Sequence, residues 1–366
     1  MKLLVATPLY PPEIGGPATY VRQLEEGLPS LGITVEVVKF ADVRNLPKLF
    51  RHHAYYKKLL EKARDVDAIL ALDPVSVGLP ASEAAKKLKK PFFVKIVGDY
   101  AWEQGVQRFG VTASLDEFVT QKNVPLPVSF LRFTEKKVAE RAVRVIVPST
   151  YLKGVVSAWG INPDRITVVH NAVSLPALSS SEMYVQHFSR PRIVSIGRLV
   201  PWKGMDGVID AVAALNERGG SASLAIVGEG EEKVRLEVEA RKKLPGLHVF
   251  TGRLSHEKTL AILKDADVFV LNSRYEGLSH LLIEATLLHV PIVATDAGGN
   301  KEVVEHEQNG LLVPPGDQNA LTEAIARIVT DASFAEKLRR GAQVVAKRFA
   351  SERMYQETAN VLSIRV

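Results

Sequence analysis

Short runs of β-branched and aliphatic residues alternate with longer amphipathic stretches along this chain, and the alternation runs through twice. In the first half, strands are expected at Lys2–Ala6, Thr34–Phe40, Ala68–Leu72, Phe92–Val97, Arg144–Val147 and Thr167–Val169. Helices are expected between them at Ala18–Leu31, Pro47–Arg64, Ser76–Lys89, Ser129–Ala142 and Tyr151–Trp159. The second half offers strands at Arg192–Ile196, Ser223–Val227, Leu247–Phe250, Val268–Leu271 and Pro291–Ala294. Its helices are expected at Gly204–Arg218, Glu231–Lys243, His256–Lys264, His280–Leu288 and Asn319–Val329. Strands alternating with helices of this length build βαβ units, whose sheets are parallel. The pattern predicts an α/β chain of two doubly wound domains, 1–185 and 186–350, facing across a cleft. The stretch "NAVSLPALSSSEMYVQHFSRP" between them is rich in Ser and Pro and suits a linker. A length of 366 residues agrees, since single cores rarely grow past about 250–300 residues.

Composition narrows the class. No apolar run reaches the ~18–20 residues that span a bilayer, no signal-like start is present, and there is no cysteine for a disulfide or thiolate metal site. The expectation is a cytoplasmic enzyme or binding protein. The net charge of +6 lies wholly in residues 1–188, where 24 Lys+Arg face 18 Asp+Glu, against 23 of each beyond. Its basic runs are either solvated helix faces or an attraction to an anionic partner, a phospholipid surface at the inner face of a membrane or a phosphorylated acceptor. Nucleic acid is disfavoured, because no aromatic platform accompanies the charge.

Ligands of parallel sheets collect at the carboxyl ends of strands. One such end is "TPLYPPEIGGPATYV", where Gly15 and Gly16 precede a helix and would let backbone N–H groups approach an anion. The alternative is a loop that needs glycine torsions. A second is "SIGRLVPWKGMDG", where Arg198 and Lys203 leave one loop and could neutralise a pyrophosphate, or be surface cations. A third, "LAIVGEGEEKV", has Lys233 where a dinucleotide fingerprint needs glycine, and its acids would repel phosphate. A base or sugar edge is the better match there.

The fourth is "VFVLNSRYEGLSHLLIEA". Glu276 falls in the turn and Glu284 near the second helical turn, so they are not neighbours on one helix face. Glu276 and the N–H groups of Gly277, Leu278 and Ser279 would face the ligand. Glu284 lies among Leu281, Leu282, Ile283 and Ala285, where a carboxylate needs a hydroxyl or cationic partner.

With these residues assembled, the chain resembles retaining glycosyltransferases of family 4, of the two-Rossmann-domain GT-B type. The resemblance rests on Glu276 and Glu284 at the Glu-x7-Glu spacing, and on the order of the Gly-Gly loop, "GRLVPWKG", "VGEGEE", "VFTGRL", "SRYEGLSHLLIEA" and "DAGGNKEVVEHEQNGLLVPPGD". It implies that Arg198 and Lys203 bind the donor diphosphate with help from Gly16, and that Glu284 binds ribose. Glu276 would contact the donor sugar, with the Gly277–Ser279 backbone near sugar and phosphate and Gly230, Arg253 and Leu254 bordering the base. It also implies a final helix, 351–366, packed on the first domain, and no metal or cofactor, the donor being a UDP- or GDP-linked sugar. The family's histidine after the strand at Phe92–Val97 is missing; "VGDYAWEQG" offers Asp99, which could take its catalytic place, bind acceptor hydroxyls or cap the following turn. His170 reads as structural, and His280 as a neighbour of the donor site.

The implied reaction moves a hexose from a nucleotide sugar to a hydroxyl acceptor in glycan, glycolipid or envelope polysaccharide synthesis. Cations that stabilise the departing diphosphate are then the main catalysts. A glycosidase-type acid/base couple is rejected, because the two glutamates would lie along one donor rather than across a scissile bond. The rivals are a nucleotide-sugar epimerase on the same fold and a non-catalytic nucleotide-sugar binding protein.

Overall fold

The computed structural model describes residues 1–13, 15–173, 175–176 and 190–364. The chain forms two compact units, one from Met1 to Asn171 together with the segment from Ser351, the other Ala172–Ala350. The expected boundary at 185/186 and most of the Ser- and Pro-rich stretch lie outside the described residues.

The first unit holds β1 (Lys2–Thr7), β2 (Thr34–Lys39), β3 (Ala68–Ala71), β4 (Phe92–Lys95), β5 (Arg144–Val147) and β6 (Ile166–Val168), all parallel in the order β2-β1-β3-β4-β5-β6. Leu3, Leu4, Val5, Leu70 and Phe93 are wholly buried, because helices cover both faces of the sheet. That is why these strands read as continuous apolar runs rather than alternating ones. The helices are α1 (Gly16–Gly27), α2 (Lys48–Lys62), α3 (Gly78–Leu88), α4 (Tyr100–Arg108), α5 (Leu115–Thr120), α6 (Leu126–Arg141) and α7 (Thr150–Ala158). Neither α4 nor α5 was expected from periodicity. Both are short and begin at side-chain caps, Asp99 for α4 and a Ser114–Glu117 capping box for α5.

The second unit holds β7 (Arg192–Ile196), β8 (Ser223–Val227), β9 (His248–Gly252), β10 (Val268–Leu271), β11 (Ile292–Thr295) and β12 (Gly310–Val313), again parallel, in the order β12-β11-β10-β7-β8-β9. Its helices are α8 (Met205–Glu217), α9 (Lys233–Lys243), α10 (His256–Lys264), α11 (His280–Leu287), α12 (Gln318–Thr330) and α13 (Ala332–Ala346). Two elements go beyond expectation. β12 is four residues caught between Asn309 and two prolines, too short to read as a strand alone. α13 buries Phe334, Ala335, Leu338, Ala342 and Val345, a stripe with plain helical spacing.

The last helix, α14 (Ser351–Leu362), belongs to the first unit and packs on α1, with Tyr20 Oη and Thr358 Oγ1 3.3 Å apart. Beneath the Tyr20 ring lies Lys95, 1% exposed, its Nζ 3.9 Å from the ring centroid and without a hydrogen-bond partner among the described residues. A cation–π contact offsets only part of the cost of burying an ammonium. Burial therefore pushes the Lys95 pKa down to about 7 from 10.5.

The sign of the linkage follows. Below about 7 both states carry the charge and the burial penalty is full. Between about 7 and 10.5 the unfolded chain holds a proton that the folded chain has lost, so stability rises with pH. Lys95→Met should raise the melting temperature at pH 7, and the gain should shrink towards pH 10. A gain that is flat across this range in thermal melts would refute the account.

Candidate functional site

In the second unit the winding reverses between β7 and β10, with β8 and β9 on one side and β11 and β12 on the other. The loops leaving the carboxyl ends of β7 and β10 diverge there, at the usual ligand position of an open α/β sheet. They contain Arg198 and Lys203 on one side and Glu276 to Ser279 on the other.

The β7 loop makes one 3-10 turn at Pro201–Lys203 and stops at Gly204, whose φ of 60° is left-handed. A Cβ at Gly204 would lie 2.3 Å from the Asn272 carbonyl oxygen, while Asn272 Nδ2 donates to Gly204 O at 2.9 Å. Arg274 N donates to Trp202 O at 2.8 Å. These contacts hold Lys203 against the β10 loop, where its Nζ pairs with Glu276 Oε1. The same oxygen accepts from Ser273 Oγ at 2.8 Å. Lys203 and Glu276 are only 14% and 13% exposed. Removing one member of so desolvated a pair costs about 3–5 kcal/mol, because the other charge is stranded. Arg198, by contrast, is exposed, its guanidinium 5.6 Å from the Trp202 ring and without an ion-pair partner among the described residues.

Neighbouring loops brace this pair. Leu199 N donates to Glu229 O at 2.9 Å, and Glu232 N to Leu199 O at 3.0 Å. A Cβ on Gly230 would sit 2.2 Å from Leu199 O, so glycine there is a packing requirement. Glu229 is paired with Lys233 at 2.7 Å. After β9, Arg253 is exposed while Leu254 packs on the core. From the end of β11, Thr295 Oγ1 donates to Ser273 O at 2.5 Å, and from the loop after it Gly299 N donates to Glu276 O at 2.9 Å.

Helix α11 starts at His280 under the Ser279 cap. Gly277, Leu278 and Ser279 are buried, and Leu278 belongs to the core, so main chain is what this segment offers a ligand. Glu284 is 5% exposed, and its partner is His256, the first residue of α10, with Nε2 2.8 Å from Oε1. The hydrogen bond to Glu284 raises the His256 pKa above 6.5, against an opposing effect of burial. From sequence, His256 is only a helix start. The one signal for it was the need of Glu284 for a partner, and 28 positions separate the two.

Gly15 and Gly16 belong to the first unit, as the cap and first residue of α1. Asp99, in the same unit, is a helix cap. It is 1% exposed, and its oxygens accept from Trp102 N at 2.7 Å and Trp159 Nε1 at 3.1 Å. Glu135 accepts from Tyr100 N at 2.7 Å and Ala101 N at 3.2 Å, so two buried carboxylates serve one helix start. Burial raises both pKa values, and the charge of Asp99 adds to the rise at Glu135. Of the three readings open to Asp99 from sequence, the structure shows the helix cap.

Residues 14–175 match the family model described as Glycosyltransferase Family 4, and residues 186–345 the model described as Glycosyl transferases group 1. The chain is 24% identical over 290 residues to the 2-deoxystreptamine N-acetyl-D-glucosaminyltransferase of Niallia circulans, a match covering 76% of this chain and 71% of that one. It is 33% identical over 150 residues to the GDP-mannose-dependent alpha-(1-6)-phosphatidylinositol monomannoside mannosyltransferase of Mycobacterium tuberculosis, covering 39% of each. The crystal structure of Anabaena Alr3699/HepE in complex with UDP-glucose shares the fold, with a TM-score of 0.78 over 99% of both chains and 21% identity.

The His256–Glu284 bond makes a pH prediction. A raised folded pKa gives stability that is complete below about 6.5 and lost as pH rises through the folded value. The melting-temperature deficit of His256→Ala should therefore be largest near pH 6 and shrink towards pH 8.5. A deficit that grows with pH would show that the imidazole is not held as a cation by Glu284.

Proposed function

The chain is a family 4-like glycosyltransferase, each half matching its own glycosyltransferase model, and on that premise we propose that the second unit binds a nucleotide-sugar donor where β7 and β10 part, for transfer of a hexose with retention to a hydroxyl acceptor. The observation that carries this reading is the Lys203–Glu276–Ser273 cluster at the switch point, with Arg198 on the same loop as Lys203 and in no ion pair among the described residues.

The two cations have different tasks on this reading. Arg198 is the available fork for the diphosphate, since it carries no ion pair among the described residues. Lys203 is neutralised by Glu276 until a diphosphate competes for its ammonium. That exchange releases Glu276 towards sugar hydroxyls and places Lys203 where charge grows as the leaving group departs. The main chain at Gly277–Ser279, at the amino end of α11, favours the same negative charge. Glu284 keeps one oxygen on His256 and offers the other to the ribose hydroxyls. The charge stabilisation is supplied by side chains and helix amides, with Glu276 as a sugar contact rather than a base. One relative is named for dependence on GDP-mannose, and one neighbour was solved with UDP-glucose, so both nucleotides enter the test.

The decisive assay incubates the chain with UDP- and GDP-hexoses and a panel of hydroxyl acceptors, reading nucleoside diphosphate release by a coupled phosphatase. Acceptor-dependent release is expected. Binding without release would leave a nucleotide-sugar binding protein, and an epimerised donor without acceptor would leave an epimerase. Lys203→Ala should lower turnover by about 10²–10³, the usual effect of losing one group that stabilises developing charge. Glu284→Ala should instead raise the donor Kd, as ribose contacts persist from ground to transition state. Unchanged donor affinity in Glu284→Ala would remove the ribose assignment.

A further inference from the structure

We propose that His256 is a positioning residue for the donor. Protonated, it holds Glu284 for the ribose hydroxyls; as the imidazole loses its proton, donor affinity falls. The role depends on the donor reading above, in which Glu284 meets ribose.

The two residues come from different helices. His256 is the first residue of α10, and Glu284 lies in the second turn of α11. His256 Nε2 is 2.8 Å from Glu284 Oε1, while Oε2 has no hydrogen-bond partner among the described residues. The Glu284 side chain is 7% exposed and the His256 side chain 51%. Solvent can therefore protonate the imidazole while the carboxylate stays desolvated. The helix itself gains nothing from a cation there. Positive charge is unfavourable at a helix amino end, and α10 already has its cap in Ser255, whose Oγ accepts from Lys258 N at 3.4 Å. The gain is to Glu284.

A desolvated carboxylate needs its charge matched. With His256 charged, Oε1 is held by a charge-assisted hydrogen bond, the pair is neutral overall, and Oε2 is left for hydroxyl donors. With His256 neutral, that bond weakens and the full charge of the carboxylate opposes a ligand that carries a diphosphate. Both effects act against the donor. A lysine would hold Glu284 at every pH near neutrality, whereas a histidine makes the hold conditional. The hydrogen bond to Glu284 keeps the His256 pKa above 6.5 against burial, and the charge of Glu284 adds to it. The other charged or titratable groups at this corner are Arg253 before α10, Glu257 and Lys258 on it, and His280 one turn ahead of Glu284 on α11. None of them contributes to the shift. Donor affinity is thus full below the His256 pKa and declines as pH rises through it. By linkage, donor binding raises the same pKa further.

The test is calorimetric titration of the full chain with UDP-glucose and GDP-mannose from about pH 6 to about pH 8.5, a window chosen around the imidazole. The diphosphate of a nucleotide sugar has no proton to lose there. The donor Kd should rise about fivefold across the window, as a charge-assisted hydrogen bond gives way to a neutral one. His256→Gln should show the weaker Kd at every pH, and His256→Lys the tighter one, while His280→Gln should keep the wild-type slope. In the unliganded chain, the His256 imidazole should titrate above 6.5 by NMR and move down in Glu284→Gln. A wild-type Kd that ignores pH overturns the proposal and leaves the donor reading standing, as does a slope that survives His256→Gln or disappears with His280→Gln. A chain that binds neither nucleotide sugar at any pH overturns both. An imidazole that titrates at or below 6.5 overturns the proposal however the donor binds.

Discussion

A parallel sheet wound outward in both directions from its middle has one place where successive crossovers part, and no helix can cover the sheet edge there. In the second unit that place lies between β7 and β10. The loops from these two strands are forced side by side yet leave for opposite faces. Their meeting is made tight by the Asn272 side-chain amide on Gly204 O and by Arg274 N on Trp202 O. The position of Lys203 beside Glu276 is a consequence of this winding, and the bracing from the β8 and β11 loops makes it rigid.

The ionisable groups around that point differ in how much of their bonding capacity is already in use. Among the described residues, Glu276 has a lysine and a serine, Glu284 a histidine, and Arg198 an aromatic face. A desolvated pair is stable as a pair, but each member is costly alone. A ligand with its own negative charge can therefore exchange into such a pair where a neutral one cannot. In the first unit, Asp99 and Glu135 are equally buried, but their partners are backbone amides of α4 and, for Asp99, the Trp159 indole N–H. The same residue type is thus held by side chains in one place and largely by main chain in another.

Much of this was legible in the residues. The alternating periodicity gave the α/β class and eleven of the strands, because buried parallel strands are short apolar runs with glycine-bearing ends. The loops with Arg198, Lys203 and Glu276 were visible because they follow such strands directly. What escaped depended on contacts far apart in sequence. β12 is a strand only by pairing with β11, and α4 is a helix largely because Asp99 and Glu135 satisfy its first amides. His256 belongs to the site only through a residue 28 positions away. Asp99 was ambiguous for a related reason: a carboxylate after a strand caps a helix or meets a ligand with the same local sequence.

The return of α14 to the first unit means that the second unit is an insertion within the first, entered after Asn171 and left before Ser351. During synthesis the usual order, in which the amino-terminal domain finishes first, cannot hold. The second unit has all its residues while the first still waits for the helix that pairs Thr358 with Tyr20. Until α14 emerges, the seat on α1 is open to water and the Tyr20 ring above Lys95 lacks its cover. Of the two units, the one that starts earlier along the chain is finished later.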